Sequence, residues 1–115
     1  MSDIKKLTKK IIKFRKDRDW EQFHTPKDLA VSLSLEAGEV LEHFQWKNSR
    51  EIEEHIKDNK EEIGDELADV FNYLLLMAHD FKIDLAKAAE KKINKSAQKY
   101  PIAKSKGRHT KYNKL

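Results

Sequence analysis

Residues 35–47 read LEAGEVLEHFQWK, and this stretch decides how the middle of the chain folds. Apolar residues within it and just before it recur at spacings of three and four, which predicts an amphipathic helix over residues 26–44. Thr25 followed by Pro26 is typical of a helix start. Glu36 interrupts the apolar stripe, where an unpaired carboxylate would cost several kcal/mol if it were buried. The stripe consists of Leu29, Leu33, Val40 and Phe44.

A second predicted helix, over residues 59–79, repeats this feature. Projection at 100° per residue places one acid inside the apolar stripe of each helix and a second acid at its edge, one turn later. The two acids of a pair are spaced i, i+3, so their side chains converge. The pairs are Glu36 with Glu39 and Glu66 with Asp69, and the second stripe consists of Ile63, Leu67, Val70, Phe71, Leu74 and Met77.

Four converging carboxylates have three possible fates: protonation, pairing with Lys or Arg, or a bound cation. Neither apolar stripe contains a basic residue. A single such pair would be interpreted as a rim group that reaches water, but two matching pairs favour a metal site. Oxygen ligands in a chain without Cys suit a hard ion, so we predict Mg²⁺, with Mn²⁺ as a substitute.

The composition sets the fold class. The chain has 115 residues, enough for one domain, with 38% charged residues, 38% hydrophobic residues, three Gly and two Pro, which favours an all-α protein. The absence of Cys excludes disulfides and thiolate metal sites. No apolar run approaches the roughly 18 residues of a membrane span, and no signal-peptide core is visible. We therefore expect a cytoplasmic protein with no membrane partner.

Three further segments have helical signals. Residues 3–18 and 85–98 are predicted helices, and residues 50–57 form a short helix or turn. The predicted helical domain therefore covers residues 1–98. Residues 99–115 contain a proline, a glycine and little apolar periodicity, which predicts an extended basic tail.

Charge is distributed unevenly along the chain. Residues 1–18 carry eight basic and two acidic side chains, residues 19–90 carry seven and eighteen, and residues 91–115 carry nine and none. An acidic centre between basic ends suits a site that binds a cation and a polyanion together, although solvated basic faces would look the same. Basic ends would also suit a metal-independent helical adaptor that binds nucleic acid, but the inward-facing acids oppose it. A di-iron bundle would require Glu-x-x-His pairs, and none is aligned.

Four blocks of the sequence together resemble one enzyme family. They are FRKDRDWEQFHTPKDLA (14–30), LEAGEVLEHFQW (35–46), DELADVFNYLL (65–75) and KYPIAKSKGRHTKY (99–112). The chain resembles the MazG-like all-α nucleotide pyrophosphohydrolases, and within them the dCTP pyrophosphatase group. The family signature is E-x-x-E followed, after a spacer, by E-x-x-D, and both acidic pairs of this chain match it.

This resemblance implies a four-helix MazG-like bundle that forms a homodimer or homotetramer. It also implies Mg²⁺-dependent hydrolysis of a nucleoside triphosphate to the monophosphate and pyrophosphate, in control of nucleotide pools. By the same resemblance, Glu36, Glu39, Glu66 and Asp69 are the expected metal ligands. Glu39 and Glu66 are the expected catalytic residues, with Glu39 as the base that takes a proton from water.

The expected substrate pocket lies beside the second helix. Trp20 and Trp46 flank this helix and could stack on a flat base, with His24 contacting a base edge or a phosphate, or they could simply close the end of the bundle. In the resembling family, positions matching Trp20, Trp46 and Tyr73 help to form the nucleotide pocket. Tyr73 also lies on the carboxylate face of its own helix.

The tail is expected to complete the substrate site. Its blocks resemble the family's, which implies that Ser96, Lys99, Tyr100 and Lys111 contact the nucleotide. Two positions depart from the dCTP pyrophosphatases, which commonly have Asn at position 96 and in some cases His where Ile11 stands. The departures leave the base preference open among deoxynucleoside triphosphates, including dCTP and modified nucleotides.

Overall fold

A computed structural model describes all residues 1–115 and contains six α-helices, two short 3-10 turns and no strand. The all-α prediction is therefore confirmed. None of these helices has both the length and the apolar content that a membrane crossing requires. The helices are α1 (Asp3–Asp17), α2 (Pro26–Glu42), α3 (Ser49–Asp58), α4 (Lys60–Asp80), α5 (Leu85–Lys99) and α6 (Ile102–Ser105), and the 3-10 turns are Glu21–Phe23 and Tyr112–Lys114.

The helix count is six, so the expectation of four helices and a wholly extended tail was wrong. Helix α3 is short but has a complete capping box. Asn48 Oδ1 accepts a hydrogen bond from the Glu51 amide at 2.9 Å, and Glu51 Oε1 accepts one from the Asn48 amide at 3.1 Å. In the tail, Pro101 begins one helical turn, and its carbonyl accepts a hydrogen bond from the Ser105 amide at 2.9 Å. The capping box thus settles residues 50–57 as a helix rather than a turn, whereas the single turn of α6 has no side-chain cap and no signal in the apolar pattern.

Side-chain caps fix where the longer helices begin. The Thr25 hydroxyl accepts a hydrogen bond from the Asp28 amide at 3.1 Å, and Pro26 occupies the first turn, as predicted. Asp84 caps α5 in the same manner, through the Lys87 amide at 3.1 Å. These caps satisfy amides that have no partner within the helix.

The chain divides into two compact units, residues 1–82 and residues 83–115. In the first unit, α4 packs against α1, α2 and α3. The fully buried apolar residues are few: Leu29 of α2 and Leu75 and Leu76 of α4. The predicted α4 stripe omits both of these α4 leucines and includes Leu67, which is 54% exposed. Helix α4 contacts α1, α2 and α3, so its buried side chains are not confined to one apolar stripe.

One ion pair joins the C-terminal ends of α1 and α4. Arg15 is only 6% exposed, and its two terminal nitrogens donate hydrogen bonds to the two Asp80 carboxylate oxygens, each at 2.8 Å. The hydrogen bonds from Arg15 lower the pKa of Asp80, and the charge of the guanidinium lowers it further. This bidentate geometry fixes the two helix ends against each other.

Replacing Asp80 with alanine is expected to lower the free energy of unfolding by about 3 kcal/mol, because Arg15 then remains buried without a counter-charge. Urea unfolding at pH 7 measures this change. The matched control is Asp17→Ala, which breaks an exposed pair with Lys13 of 2.7 Å and should cost much less than Asp80→Ala. Equal losses in the two variants would contradict this interpretation of the Arg15 pair.

The pH dependence of this contribution follows from the sign of the pKa shift. Since the folded-state pKa of Asp80 is lowered, the stabilisation is complete above the ordinary value of 3.8. It is lost as the pH falls below that value and through the lowered pKa. The difference between the wild-type chain and Asp80→Ala should therefore shrink in acid.

Candidate metal centre

Helices α2 and α4 pack together and bring their acidic pairs to one place. One carboxylate oxygen from each of the four residues lies within 4.8 Å of those of the other three. Glu36 and Glu66 are half-buried between the helices, whereas Glu39 and Asp69 are exposed at the edge. The structure therefore brings the four carboxylates together with two inside and two at the rim.

No positive side chain neutralises this carboxylate cluster (Glu36, Glu39, Glu66 and Asp69). The three ion pairs of the chain all involve other residues. Glu36 Oε2 is buried and has no hydrogen-bond partner. An unsatisfied acceptor in that position is costly, and native structures seldom contain one without a reason.

The electrostatics of the cluster favour either protons or a cation. Burial raises the pKa of Glu36 to about 7, with further increases from the adjacent Glu39 carboxyl, which favours a shared proton, and from the charges of the neighbouring carboxylates. The pKa of Glu66 is also raised, first by its hydrogen bond with Glu39 and then by burial. A divalent ion would offset both increases, because it attracts the carboxylate charges that burial and the neighbouring carboxylates disfavour.

The donor set fits a hard divalent ion. All four ligand atoms are carboxylate oxygens, which Mg²⁺ and Mn²⁺ prefer to sulfur. Mg²⁺ binds oxygen at roughly 2.1 Å, so opposite ligands lie about 4.2 Å apart. The largest oxygen separation of 4.8 Å is close to that span. Glu36 Oε2 has no hydrogen-bond partner and is free to coordinate a cation, so these four residues fit a divalent metal ion.

A cavity of about 420 Å³ adjoins the cluster and shares Asp69 with it. This volume lies within the usual range of small-molecule sites. Its walls come from α1, α4 and the segment between α1 and α2. The apolar lining residues are Leu7, Ile11, Phe14, Trp20, Tyr73 and Leu76, and the polar ones are Lys10, Arg15, His24, Asp69 and Asn72.

Three of the four predicted pocket residues line this cavity. Trp20 packs edge-on against Phe14, with ring centroids 5.7 Å apart, and the His24 and Tyr73 rings lie 6.3 Å apart. Trp46 does not line the cavity. Its side chain is 90% exposed and its backbone has φ of 69°, in the turn that follows α2. Trp46 was expected in the pocket because it flanks the second helix and matches a pocket position of the resembling family. The turn after α2 instead directs its indole outward.

His24 contributes a neutral imidazole to the cavity. Burial lowers its pKa, and the positive charge of Arg15 lowers it further. Its Nδ1 atom is buried and has no hydrogen-bond partner. The ring is therefore uncharged at neutral pH and has one nitrogen available for a ligand.

The predicted tail residues all belong to the second unit. Ser96 is half-buried on α5. Tyr100 packs edge-on against Tyr112 with ring centroids 6.1 Å apart, and the Lys99 ammonium lies 4.7 Å from the Tyr112 ring centre. Lys111 immediately precedes this tyrosine and is exposed. The Tyr100–Tyr112 pair thus lies next to the Lys99 ammonium within the tail.

Sequence reasoning did not identify Arg15 and Asn72, which line the cavity. A signal for Arg15 was present. On a helical projection, Arg15 falls on the same face as Ile4 and Ile11, so a charge interrupts the apolar stripe of α1. It is the same anomaly that singled out Glu36. Asn72 has no comparable signal, because a polar residue on a long helix is ordinarily solvated.

Comparisons with known proteins give a consistent set of relatives. A sequence model of the MazG-like family matches residues 31–115. The dCTP pyrophosphatase 1 proteins of Rattus norvegicus and Homo sapiens are 38% and 34% identical over the whole chain, which spans 67% of the length of each. The crystal structure of a pyrophosphatase from Archaeoglobus fulgidus aligns with a TM-score of 0.83 at 39% identity, covering 88% of this chain and 94% of that one.

Proposed function

The chain belongs to the MazG-like family, and from that membership we propose how it acts as a nucleoside triphosphate pyrophosphatase. It cleaves a deoxynucleoside triphosphate to the monophosphate and pyrophosphate with Mg²⁺ as the metal, or Mn²⁺ as a substitute, and so controls nucleotide pools. Its candidate substrates are dCTP and related or modified nucleotides, since two relatives bear the name dCTP pyrophosphatase.

The observation that carries the proposal is that Asp69 belongs both to the carboxylate cluster and to the cavity. A triphosphate held at the cluster leaves its nucleoside within reach of the aromatic walls of the cavity. Trp20 and Tyr73 provide flat surfaces for the base or sugar. Acidic residues alone would repel a triphosphate, so this arrangement is functional only with a bound cation.

Glu36, Glu39, Glu66 and Asp69 would hold the metal. When bound, a divalent ion supplies neutralisation of the triphosphate charge and makes water more acidic. Water adds to the α-phosphorus, the bond from that phosphorus to its bridging oxygen breaks, and pyrophosphate departs with the bridging oxygen. Glu39, at the exposed rim of the cluster, takes the proton of the attacking water, and half-buried Glu66 lies beside it as the second catalytic carboxylate.

The tail, residues 99–115, is proposed to complete the substrate site. The tail carries six basic and no acidic side chains, which suits the phosphates of the substrate. Lys99 and Lys111 would bind phosphate oxygens, and Ser96 and Tyr100 would donate hydrogen bonds from their hydroxyl groups. The packing of Lys99 and Tyr100 around Tyr112 supports this role, because it holds cationic and hydroxyl groups together.

Self-association into a homodimer or homotetramer is proposed from the apolar surface of α2. Val31, Leu35 and Leu41 of α2 are 48%, 65% and 59% exposed. On a helical projection Val31 and Leu41 point away from Glu36, and Leu35 lies beside Glu39. Several exposed apolar side chains on one helix are typical of protein interfaces. Only three apolar side chains of the chain are fully buried, so association would add substantially to the apolar area removed from water.

A panel of deoxynucleoside and ribonucleoside triphosphates, assayed with and without Mg²⁺, tests the proposal. We expect monophosphate and pyrophosphate in equal amounts, at least one preferred nucleotide, and no turnover in the presence of EDTA. Anion-exchange separation of the products measures this result. Stepwise release of phosphate, or no hydrolysis of any nucleotide by a folded protein, would reject it.

A further inference from the structure

Arg15 has hydrogen-bonding capacity that the fold does not use. A guanidinium carries five N–H donors and no acceptor. Its two terminal nitrogens each donate to Asp80 at 2.8 Å, but its Nε is buried and has no partner. The residue is 6% exposed and lines the cavity next to the carboxylate cluster. A buried charged group in a ligand pocket therefore retains a free donor.

His24 adds a second unsatisfied atom to the same cavity. Only four side-chain polar atoms of the chain are buried without a partner, and two of them, Arg15 Nε and His24 Nδ1, belong to residues lining this cavity. A third, Glu36 Oε2, belongs to the adjacent carboxylate cluster. Because buried polar groups are normally paired, this concentration of unpaired atoms indicates groups that a ligand completes.

The chemistry of the free donors indicates which part of a nucleotide they contact. The carboxylate cluster and its cation would hold the triphosphate, and Trp20 and Tyr73 line the cavity with aromatic rings on which a base can stack. The polar features of a nucleoside that remain are the sugar oxygens and the edge of its base, and only the base edge places acceptors side by side in one plane. One edge of a guanidinium presents parallel N–H groups, which match a carbonyl oxygen and the acceptors beside it.

Resting on the proposed function, we propose that Arg15 and His24 form the polar floor of the cavity and select nucleobases that carry a carbonyl oxygen. Guanine presents O6 and N7 side by side to such a donor pair, and cytosine and thymine carry carbonyl oxygens. Adenine has no carbonyl oxygen, and its amino group lies next to the N7 acceptor, so an N–H of Arg15 would face another donor. The chain should therefore disfavour adenine nucleotides.

The experiment measures kcat/KM for dCTP, dTTP, dGTP and dATP in the Mg²⁺-loaded protein. For the wild-type chain we expect dATP to be at least about tenfold poorer than the best carbonyl-bearing substrate, as expected for the loss of one hydrogen bond to a charged group. The double substitution Arg15→Met, Asp80→Leu replaces the ion pair with apolar side chains. It should reduce this selectivity by about tenfold.

Two further variants separate recognition from structure. Asp80→Asn weakens the same ion pair but leaves Arg15 and its Nε–H in place, so overall stability should fall while the ratio of dCTP to dATP hydrolysis stays at the wild-type value. His24→Leu preserves the Arg15–Asp80 pair and should lower the ratio. A purely structural role would lower activity on all four nucleotides equally in every variant, leaving the ratio constant.

The outcomes distinguish this inference from the function on which it rests. If no nucleotide is hydrolysed, the proposed function fails. If nucleotides are hydrolysed but wild-type protein accepts dATP as well as dCTP, the inference alone is overturned, whether or not the variants fold. The inference would also be overturned if a folded Arg15→Met, Asp80→Leu protein kept the wild-type selectivity ratio. In that case Arg15 would hydrogen-bond to ordered water and not to the base.

Discussion

Glu66→Gln is expected to lower kcat by roughly 10³-fold or more while leaving the protein folded. Glutamine keeps the size and shape of the side chain but removes the charge that a divalent ion requires. The pKa of Glu66 is raised in the folded chain, first by the hydrogen bond with Glu39, so the fold favours a neutral group at this position. The substitution should therefore remove activity without a loss of stability.

Asp65→Asn is the matched control for this prediction. Asp65 lies one residue earlier on α4, is exposed and does not belong to the carboxylate cluster. It should retain wild-type turnover. Product formation by anion-exchange chromatography and helix content by circular dichroism are measured on both variants. Wild-type turnover by Glu66→Gln, or an equal loss in Asp65→Asn, would contradict the assignment of Glu66 to the metal site.

The second large effect is on stability in the absence of metal. Because burial raises the folded-state pKa of Glu36 from 4.5 to about 7, the folded chain binds more protons than the unfolded chain between those values. The contribution of Glu36 to the free energy of unfolding must then fall as the pH rises through this window. Because Glu36 is only partly buried, solvent screens much of this effect, and we expect a loss of about 1 kcal/mol between pH 4.5 and pH 8. Above the folded pKa the curve should level off.

Mg²⁺ should reverse this loss at the upper end of the window. A ligand at a hundred times its Kd stabilises the folded state by about 2.7 kcal/mol, and carboxylates bind metal only when deprotonated. The increase in Tm caused by Mg²⁺ should therefore be larger at pH 8 than at pH 5.5. Thermal unfolding with EDTA or with Mg²⁺ at the two values measures it.

Glu36→Gln isolates this effect from the rest of the chain. His24 contributes a slope of opposite sign, because its pKa is lowered in the folded state and its contribution to stability increases with pH. The His24 contribution is the same in both proteins, so it cancels when the free energy of unfolding of Glu36→Gln is subtracted from that of the wild-type chain. In the variant we expect greater stability than wild type at pH 8 without metal, and no response to Mg²⁺. A variant that Mg²⁺ stabilises as much as the wild type would refute the Glu36 assignment.

The carboxylate cluster was predictable because its geometry is local. Glu36 and Glu39 share one helix, Glu66 and Asp69 another, and the 3.6-residue period fixes the direction of each side chain relative to its apolar stripe. Once both stripes must be buried, the two helices face each other and the acids meet. The start of α2 was predictable for a similar reason, since the cap and the proline act within one turn.

Other features depend on contacts that no local pattern encodes. The Arg15–Asp80 pair joins residues 65 positions apart, and only the packing of α1 on α4 brings them together. Leu75 and Leu76 are buried in α4, which packs against α1, α2 and α3 and not against a single partner helix. The direction of the Trp46 side chain depends on a positive φ in a short turn. Residues other than glycine seldom adopt a positive φ, and no sequence pattern predicts it here.

The metal site is tested most directly by anomalous X-ray scattering from crystals grown with Mn²⁺. We predict an anomalous peak between α2 and α4, with carboxylate oxygens of Glu36, Glu39, Glu66 and Asp69 at roughly 2.1–2.2 Å from it. The same crystals of Glu66→Gln should lose the peak. Strong Mn²⁺ density elsewhere on the chain, with these four side chains hydrogen-bonded to one another and no ion among them, would contradict it.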